Sequence, residues 1–273
     1  MRRFLFAMLL LLGAPLSRAG ENAQVLVVGN SLTYVNDLPA LFNAMVDAQP
    51  DGLRWHADLV GVPGGSLGER WNDGFVAKEI ASGRWQALVL QERGGTLACL
   101  ASPQGREEAE CAASLAAHKR FIDLAGKYNV RVIVLGTWGP DAIWQGKLSR
   151  GLHRVVNGTK AEALDVGPLV RDYGKAHGGQ AMTTDAIGHP SIDASLLVAG
   201  ALYRQLTGNA PQAVAFETKS PMLPPLAAIT ADKLLSQQPQ LAGDGSVTKI
   251  EAERLQPLVT AVAEMPAPLK GGK

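Results

Sequence analysis

Apolar residues along this chain gather in short blocks, separated by longer stretches where they recur at helical spacing. Val25–Val28, Gln86–Leu90 and Val130–Leu135 are nearly continuous apolar runs. Runs of that length, apolar on both alternating faces, predict strands buried on both sides of a sheet. Arg54–Val60 alternates in part and predicts a strand nearer the sheet edge, and Ala163–Val166 makes a short fifth strand. Between them, Leu38, Leu41, Phe42 and Met45 predict a helix capped by Asn36 or Asp37. Glu69–Ile80, a long stretch from about Glu107 to Lys127, Gly146–Lys160, Pro168–His177 and Asp193–Leu206 read as further helices. Strands alternating with long crossovers predict a parallel sheet covered by helices on both faces. From Phe216 onward the pattern changes. Ser220–Pro225 breaks any element, and two amphipathic stretches follow near Ile229–Ser236 and Ser246–Val262. Residues 20–215 are therefore read as the main domain and 216–273 as a helical extension packed on it, with a disordered end at Ala267–Lys273.

Residues 1–19 stand outside that pattern. Arg2 and Arg3, the apolar run Phe4–Leu12 and the small residues Ser17 and Ala19 read as a cleaved export signal, too short for a comfortable membrane span. The expectation is a periplasmic or secreted protein with no stable membrane insertion after signal removal. The chain has 273 residues, 47% hydrophobic and 19% charged, enough for one sizeable core. With 26 Lys+Arg against 25 Asp+Glu, no basic face is implied and nucleic acid is excluded as an expected partner. Export places the two cysteines, Cys99 and Cys111, in an oxidising compartment. Both lie in one segment rich in small and polar residues, which reads as a surface loop stapled by a disulfide. No histidine stands beside either cysteine to suggest a metal site.

Candidate chemistry begins at the first strand. Gly29 and Asn30 end the apolar run, and Ser31 follows on a turn before the next helix. A serine at the carboxyl end of a parallel strand sits where open α/β sheets bind ligands. Acyl transfer by serine also needs a histidine base, a carboxylate to orient it, and donors for the oxyanion. Of the five histidines, His56 sits within a strand, and His118, His153 and His177 lie on helices beside Lys or Arg, as solvated faces do. His189 differs: it lies in a loop after the last strand, with Asp185 just before it and a helix just after. The loop Gly61–Gly68 follows a strand and precedes a helix, so its amides are placed to face an anion, yet it fits neither a dinucleotide fingerprint nor a P-loop. Gln91 and Glu92 close the third strand, where a side-chain amide can donate to an oxyanion.

Taken together, these features resemble the SGNH/GDSL hydrolase superfamily. Val25–Leu32 is similar to its first block, with Gly29-Asn30-Ser31-Leu32 in place of Gly-Asp-Ser-Leu. The Gly-rich second block falls at Gly64-Gly65, and Asp185 to His189 resembles the final Asp-x-x-His block with one residue more. Gly188 is placed to absorb that residue in a bulged turn. Gln91-Glu92 replaces the third block's Gly-x-Asn-Asp and is similar to the carbohydrate-esterase side of the superfamily. The resemblance implies a three-layer α/β/α sandwich with a flavodoxin-like parallel sheet in the order 2-1-3-4-5. It implies hydrolysis of a carboxylic ester, with Ser31 as nucleophile, His189 as base and Asp185 as orienter. The oxyanion would be held by the amides of Ser31 and Gly64 with Gln91. No metal or organic cofactor is implied. The expected partner is a small-molecule or saccharide ester, with a short, acetyl-like acyl group. A glycan-binding protein of the same fold that lost activity, and a lipase or thioesterase, are the alternatives. Among Trp55, Trp71, Trp85, Trp138 and Trp144, some are candidates to line a sugar cleft.

Overall fold

The computed structural model describes residues 23–50, 54–179, 181–267 and 269–270. The export signal expected at residues 1–19 lies outside them. The chain begins with β1 (Ala23–Gly29), a one-turn helix α1 (Ser31–Tyr34), α2 (Leu38–Ala48) and β2 (Trp55–Gly61). Next come α3 (Leu67–Asn72), α4 (Phe75–Ala81), β3 (Ala87–Gln91), α5 (Thr96–Cys99), α6 (Pro103–Glu107) and α7 (Ala109–Lys127). Then follow β4 (Arg131–Leu135), α8 (Ala142–Val156), β5 (Glu162–Leu164), α9 (Val166–Ala176) and α10 (Ile192–Thr207). The last part holds β6 (Phe216–Thr218), β7 (Thr248–Ile250), α11 (Ala252–Ala263) and β8 (Leu269–Lys270).

Five strands form a parallel sheet in the order β2-β1-β3-β4-β5, sandwiched between helices as expected. The period-2 geometry of a strand sends alternate side chains to opposite cores. Val25 and Val27 of β1, Ala87 and Val89 of β3, and Ile133 and Leu135 of β4 join the core with α2, α9 and α10. Leu26 and Val28, Leu88 and Leu90, and Val132 and Val134 join the core with α3, α4, α7 and α8. That double burial explains why these strands read as continuous apolar runs.

The helices depart from expectation where glycine or proline intervenes. The stretch Glu69–Ile80 is two helices, because Gly74 takes φ +73 between them. The long helix expected from about Glu107 starts at Ala109, after the short α6 that Pro103 opens. Cys99 at the end of α5 is disulfide-bonded to Cys111 in α7, which clips this irregular segment to the long helix.

The region from Phe216 is mixed and not simply helical. Of the two amphipathic stretches, only the second carries an α-helix, α11, which packs on α10. The first runs as irregular backbone with a 3-10 turn at Leu235–Gln237. There the Gln238 side chain pairs with both the N–H and the carbonyl of Thr230, supplying the bonds a ladder would have made. β6 and β7 pair antiparallel beside α2. The end expected to be disordered is corrected at Leu269–Lys270, which pairs antiparallel with β5. A free sheet edge offers unpaired N–H and C=O groups, and the returning chain takes them.

Candidate active site

Everything at the site is built from the carboxyl ends of β1, β2 and β3 and the segment before α10. β1 must stop sharply. A Cβ on Gly29 would lie 2.4 Å from Thr33 Oγ1 and 2.6 Å from Gln91 Oε1, so only glycine fits. Asn30 then caps α1. Its Oδ1 accepts from Leu32 N–H at 3.1 Å, its Nδ2 donates to Gly65 O at 2.9 Å, and its own N–H donates to Gln91 Oε1 at 3.0 Å. An aspartate has no N–H donor to offer Gly65. Ser31 is thus the first residue of a helical turn and not merely a turn residue, so its N–H has no intrahelical acceptor.

His189 arrives from the other side of the sheet. The loop before α10 is closed by backbone bonds from Thr184 N–H to His189 O at 2.8 Å and from Ser191 N–H to Met182 O at 2.9 Å. Gly188, at φ +99, makes the turn that accommodates the additional residue after Asp185. Asp185 Oδ1 accepts from the N–H groups of Ile187, Gly188 and His189 at 3.0, 2.9 and 3.2 Å. Its Oδ2 stands 2.5 Å from His189 Nδ1, and His189 Nε2 stands 3.0 Å from Ser31 Oγ. The hydrogen bond to the His189 side chain, with these amides, holds the Asp185 carboxyl down at about 2. An ionised Asp185 accepts only, so Nδ1 must donate to it, and in the neutral imidazole Nε2 is left to accept from the Ser31 hydroxyl. Ser31 and His189 are 8% and 7% exposed, so both are shielded yet reachable. Asp193, the other carboxylate in this region, pairs instead with Arg254 at 2.7 Å in the first turn of α10.

Gln91 is corrected. It is 1% exposed, its Oε1 accepts from Asn30 N–H, and its Nε2 donates to Glu92 O. Because Oε1 must face an N–H, the amide cannot be flipped. Gln91 supports the turn from below, and its burial keeps the second hydrogen of Nε2 away from the open face of the site. Gly64 is exposed at φ +63, and its N–H has no backbone acceptor among the described residues. The neighbouring Gly65 N–H is spent on Val62 O at 3.1 Å.

Three contributors escape a sequence reading. Glu92 is 1% exposed and accepts from Leu67 N–H at 3.2 Å, Arg93 N–H at 2.7 Å and Ser114 Oγ at 2.6 Å, tying the second and third loops to α7. His118, read as part of a solvated face, is fully buried, with Nδ1 2.8 Å from Ser114 O. Burial lowers its pKa, against the opposing pull of Glu92. Asn36 Nδ2 donates to Pro190 O and Ser195 Oγ, both at 3.0 Å, joining the Ser31 segment to the His189 segment. The Glu of Gln91-Glu92 is the sequence signal for this network; Asn36 reads only as a candidate cap for α2, a place that Asp37 takes, and nothing local marks His118. Among the described residues no three His, Cys, Asp or Glu side chains converge as a metal site.

No protein-family model matches the chain, and no curated protein does. Solved structures do. The acetylxylan esterase Axe2 from Geobacillus stearothermophilus superposes with a TM-score of 0.54 at 13% identity, covering 69% of this chain and 96% of that one. A putative GDSL-like lipase from Parabacteroides merdae gives 0.51 at 10% identity, covering 69% and 96%. The chain shares the fold of these two structures, with a parallel sheet in the order β2-β1-β3-β4-β5 between helices. Of the segments that resemble the superfamily's blocks, the first lies on β1–α1, the second on the turn after β2, and the third at the end of β3. The segment that resembles the final block, Asp185 to His189, lies on the loop before α10.

Proposed function

We propose that this chain is an exported serine esterase that removes short acyl groups, with a saccharide ester as the substrate class. The observation that carries the reading is the line Ser31 Oγ, His189 Nε2, His189 Nδ1, Asp185 Oδ2, with gaps of 3.0 and 2.5 Å. His189 takes the Ser31 proton as Oγ attacks the ester carbonyl. The amides of Ser31 and Gly64 receive the oxyanion. The imidazolium, stabilised by Asp185, returns the proton to the leaving alcohol, and a water activated by His189 then releases the acid and frees Ser31. The disulfide favours an oxidising compartment, which supports export. Among the described residues no helix is long and apolar enough to cross a membrane. The glycines of the Gly64-Gly65 turn, with no bulky insertion, support a small acyl pocket.

One observation favours a second reading, a lipase. Ile187 and Ile143 are 82% and 77% exposed, and Ile187 sits on the His189 loop. Hydrolysis of a 4-nitrophenyl ester series decides between them. We expect acetate to be cleaved fastest, and Ser31→Ala to lose at least about a thousandfold in kcat/KM and all labelling by a fluorophosphonate. Rates that climb to eight or more carbons would make it a lipase. An active Ser31→Ala protein would remove the mechanism.

A further inference from the structure

A cavity of about 520 Å³ opens beside Asp185, between α9, the Trp138–Pro140 turn after β4 and the Met182–Gly188 loop. Arg171 and Lys175 line it from α9, one helical turn apart and so on one face. Asp185 is the only acidic residue among its lining, and its oxygens already hold His189 and three amides. Arg70, Arg131 and Arg254 each find a carboxylate, on Asp73, Glu162 and Asp193. Arg171 and Lys175 make no ion pair or side-chain hydrogen bond to any described residue. The lining therefore carries two cations against one ionised carboxylate, and neither cation is paired with it. Trp138 gives it a fixed aromatic wall, because its Nε1 donates to Gly188 O at 2.8 Å.

The reaction geometry says which half of a substrate faces this cavity. His189 must hand its proton to the leaving oxygen, so the alcohol half lies on the imidazole side of Ser31. Gly188, bonded to Trp138, is the residue before His189. The cavity is lined by neither Ser31 nor His189, so an alcohol half that reaches the two cations must be long enough to extend past the imidazole and along the indole. An indole face suits the apolar face of a sugar ring, and a guanidinium suits a carboxylate through paired hydrogen bonds.

Resting on the esterase reading, we propose that this cavity binds a carboxylate carried by the alcohol half, so that the preferred substrates are acylated uronides, not neutral acylated sugars. The test compares kcat/KM on an O-acetylated galacturonate trimer with that on O-acetylated xylotriose, with 4-nitrophenyl acetate measured alongside. At low salt we expect a preference of at least about tenfold for the galacturonate ester. It should shrink as NaCl rises from about 50 to about 300 mM. It should fall toward one in Arg171→Ala and Lys175→Ala, and Arg171→Lys should keep part of it. If the aryl ester is cleaved but no such preference exists, this inference is overturned and the esterase reading stands. If no ester is cleaved, that reading fails, and calorimetry of unacetylated trigalacturonate with the Ser31→Ala protein decides this one separately. Salt-sensitive binding that is weakened by Arg171→Ala supports it, and absence of binding overturns it.

Discussion

Asn30 does three jobs with one side chain and one backbone N–H, and only an amide can do them. It is 2% exposed, so an aspartate in its place would lose the bond to Gly65 and press a carboxylate oxygen against that carbonyl. We expect Asn30→Asp to cost about 2 kcal/mol in a urea titration and about tenfold in kcat/KM, since the Gly64-Gly65 turn loses its tether. Wild-type values for both would show that the turn holds itself. At this scale the grouping of Ser31, His189 and Asp185 was legible, because each falls in a short block of neighbouring residues. Gln91 was misread because a strand-end amide can aim either at solvent or back under the preceding turn. What decides is Gly29, whose missing Cβ lets Gln91 pack beneath it. His118 was misread because its neighbours Lys119 and Arg120 are exposed while its own face of α7 meets Ser114 and Glu92.

Asp37 shows how an element's cap carries a pH signature. It begins α2, accepting from Ala40 N–H at 3.2 Å from a backbone at φ +50. Burial raises its pKa from 3.8 to about 6, the Ala40 N–H opposes this, and Asp58 adds to it. Between those values the folded state holds a proton that the unfolded chain releases, so this group's contribution to stability falls as pH rises from about 4 to 6. Asparagine also caps helices and tolerates the left-handed conformation, but never ionises. Asp37→Asn should therefore match wild type near pH 4 and gain on the order of 2–3 kcal/mol by pH 7.5, read from urea midpoints at the two pH values. A difference that stays constant with pH would mean that Asp37 ionises freely. The strands of this chain were legible because burial on both faces leaves no other composition. The helices were legible in place but not in continuity: nothing in the apolar spacing of Glu69–Ile80 weighs the cost of passing through Gly74.

At the scale of the molecule, alternation of strand and helix dictated the parallel sheet, and the sheet placed Ser31 and His189 at one edge although 158 positions separate them. The region after Phe216 has no such alternation, and its fold follows from surfaces that the main domain leaves open. α10 is the clearest case. Its outward side is covered by α11, where Leu255, Leu258 and Val262 are at most 2% exposed. Gly200 brings the two helices close: a Cβ there would lie 3.2 Å from Val262 Cγ2. Arg204 Nη1 then donates to Val262 O at 3.2 Å and Met265 O at 2.8 Å, satisfying carbonyls at the end of α11. Ending the chain after Ile250 would uncover three fully buried aliphatic side chains and both helix faces. At about 2 kcal/mol for each side chain, about 6 kcal/mol would be lost, comparable with the whole stability of an ordinary domain. Ending it after Ala267 removes only β8, whose two residues pair with β5 at the sheet edge. We expect the longer form to stay folded with Tm within about 3 °C of the full chain, and the shorter form to lose its cooperative melt. A shorter form that melts cooperatively near the full-length Tm would mean that α11 is an ornament on a core already complete at α10.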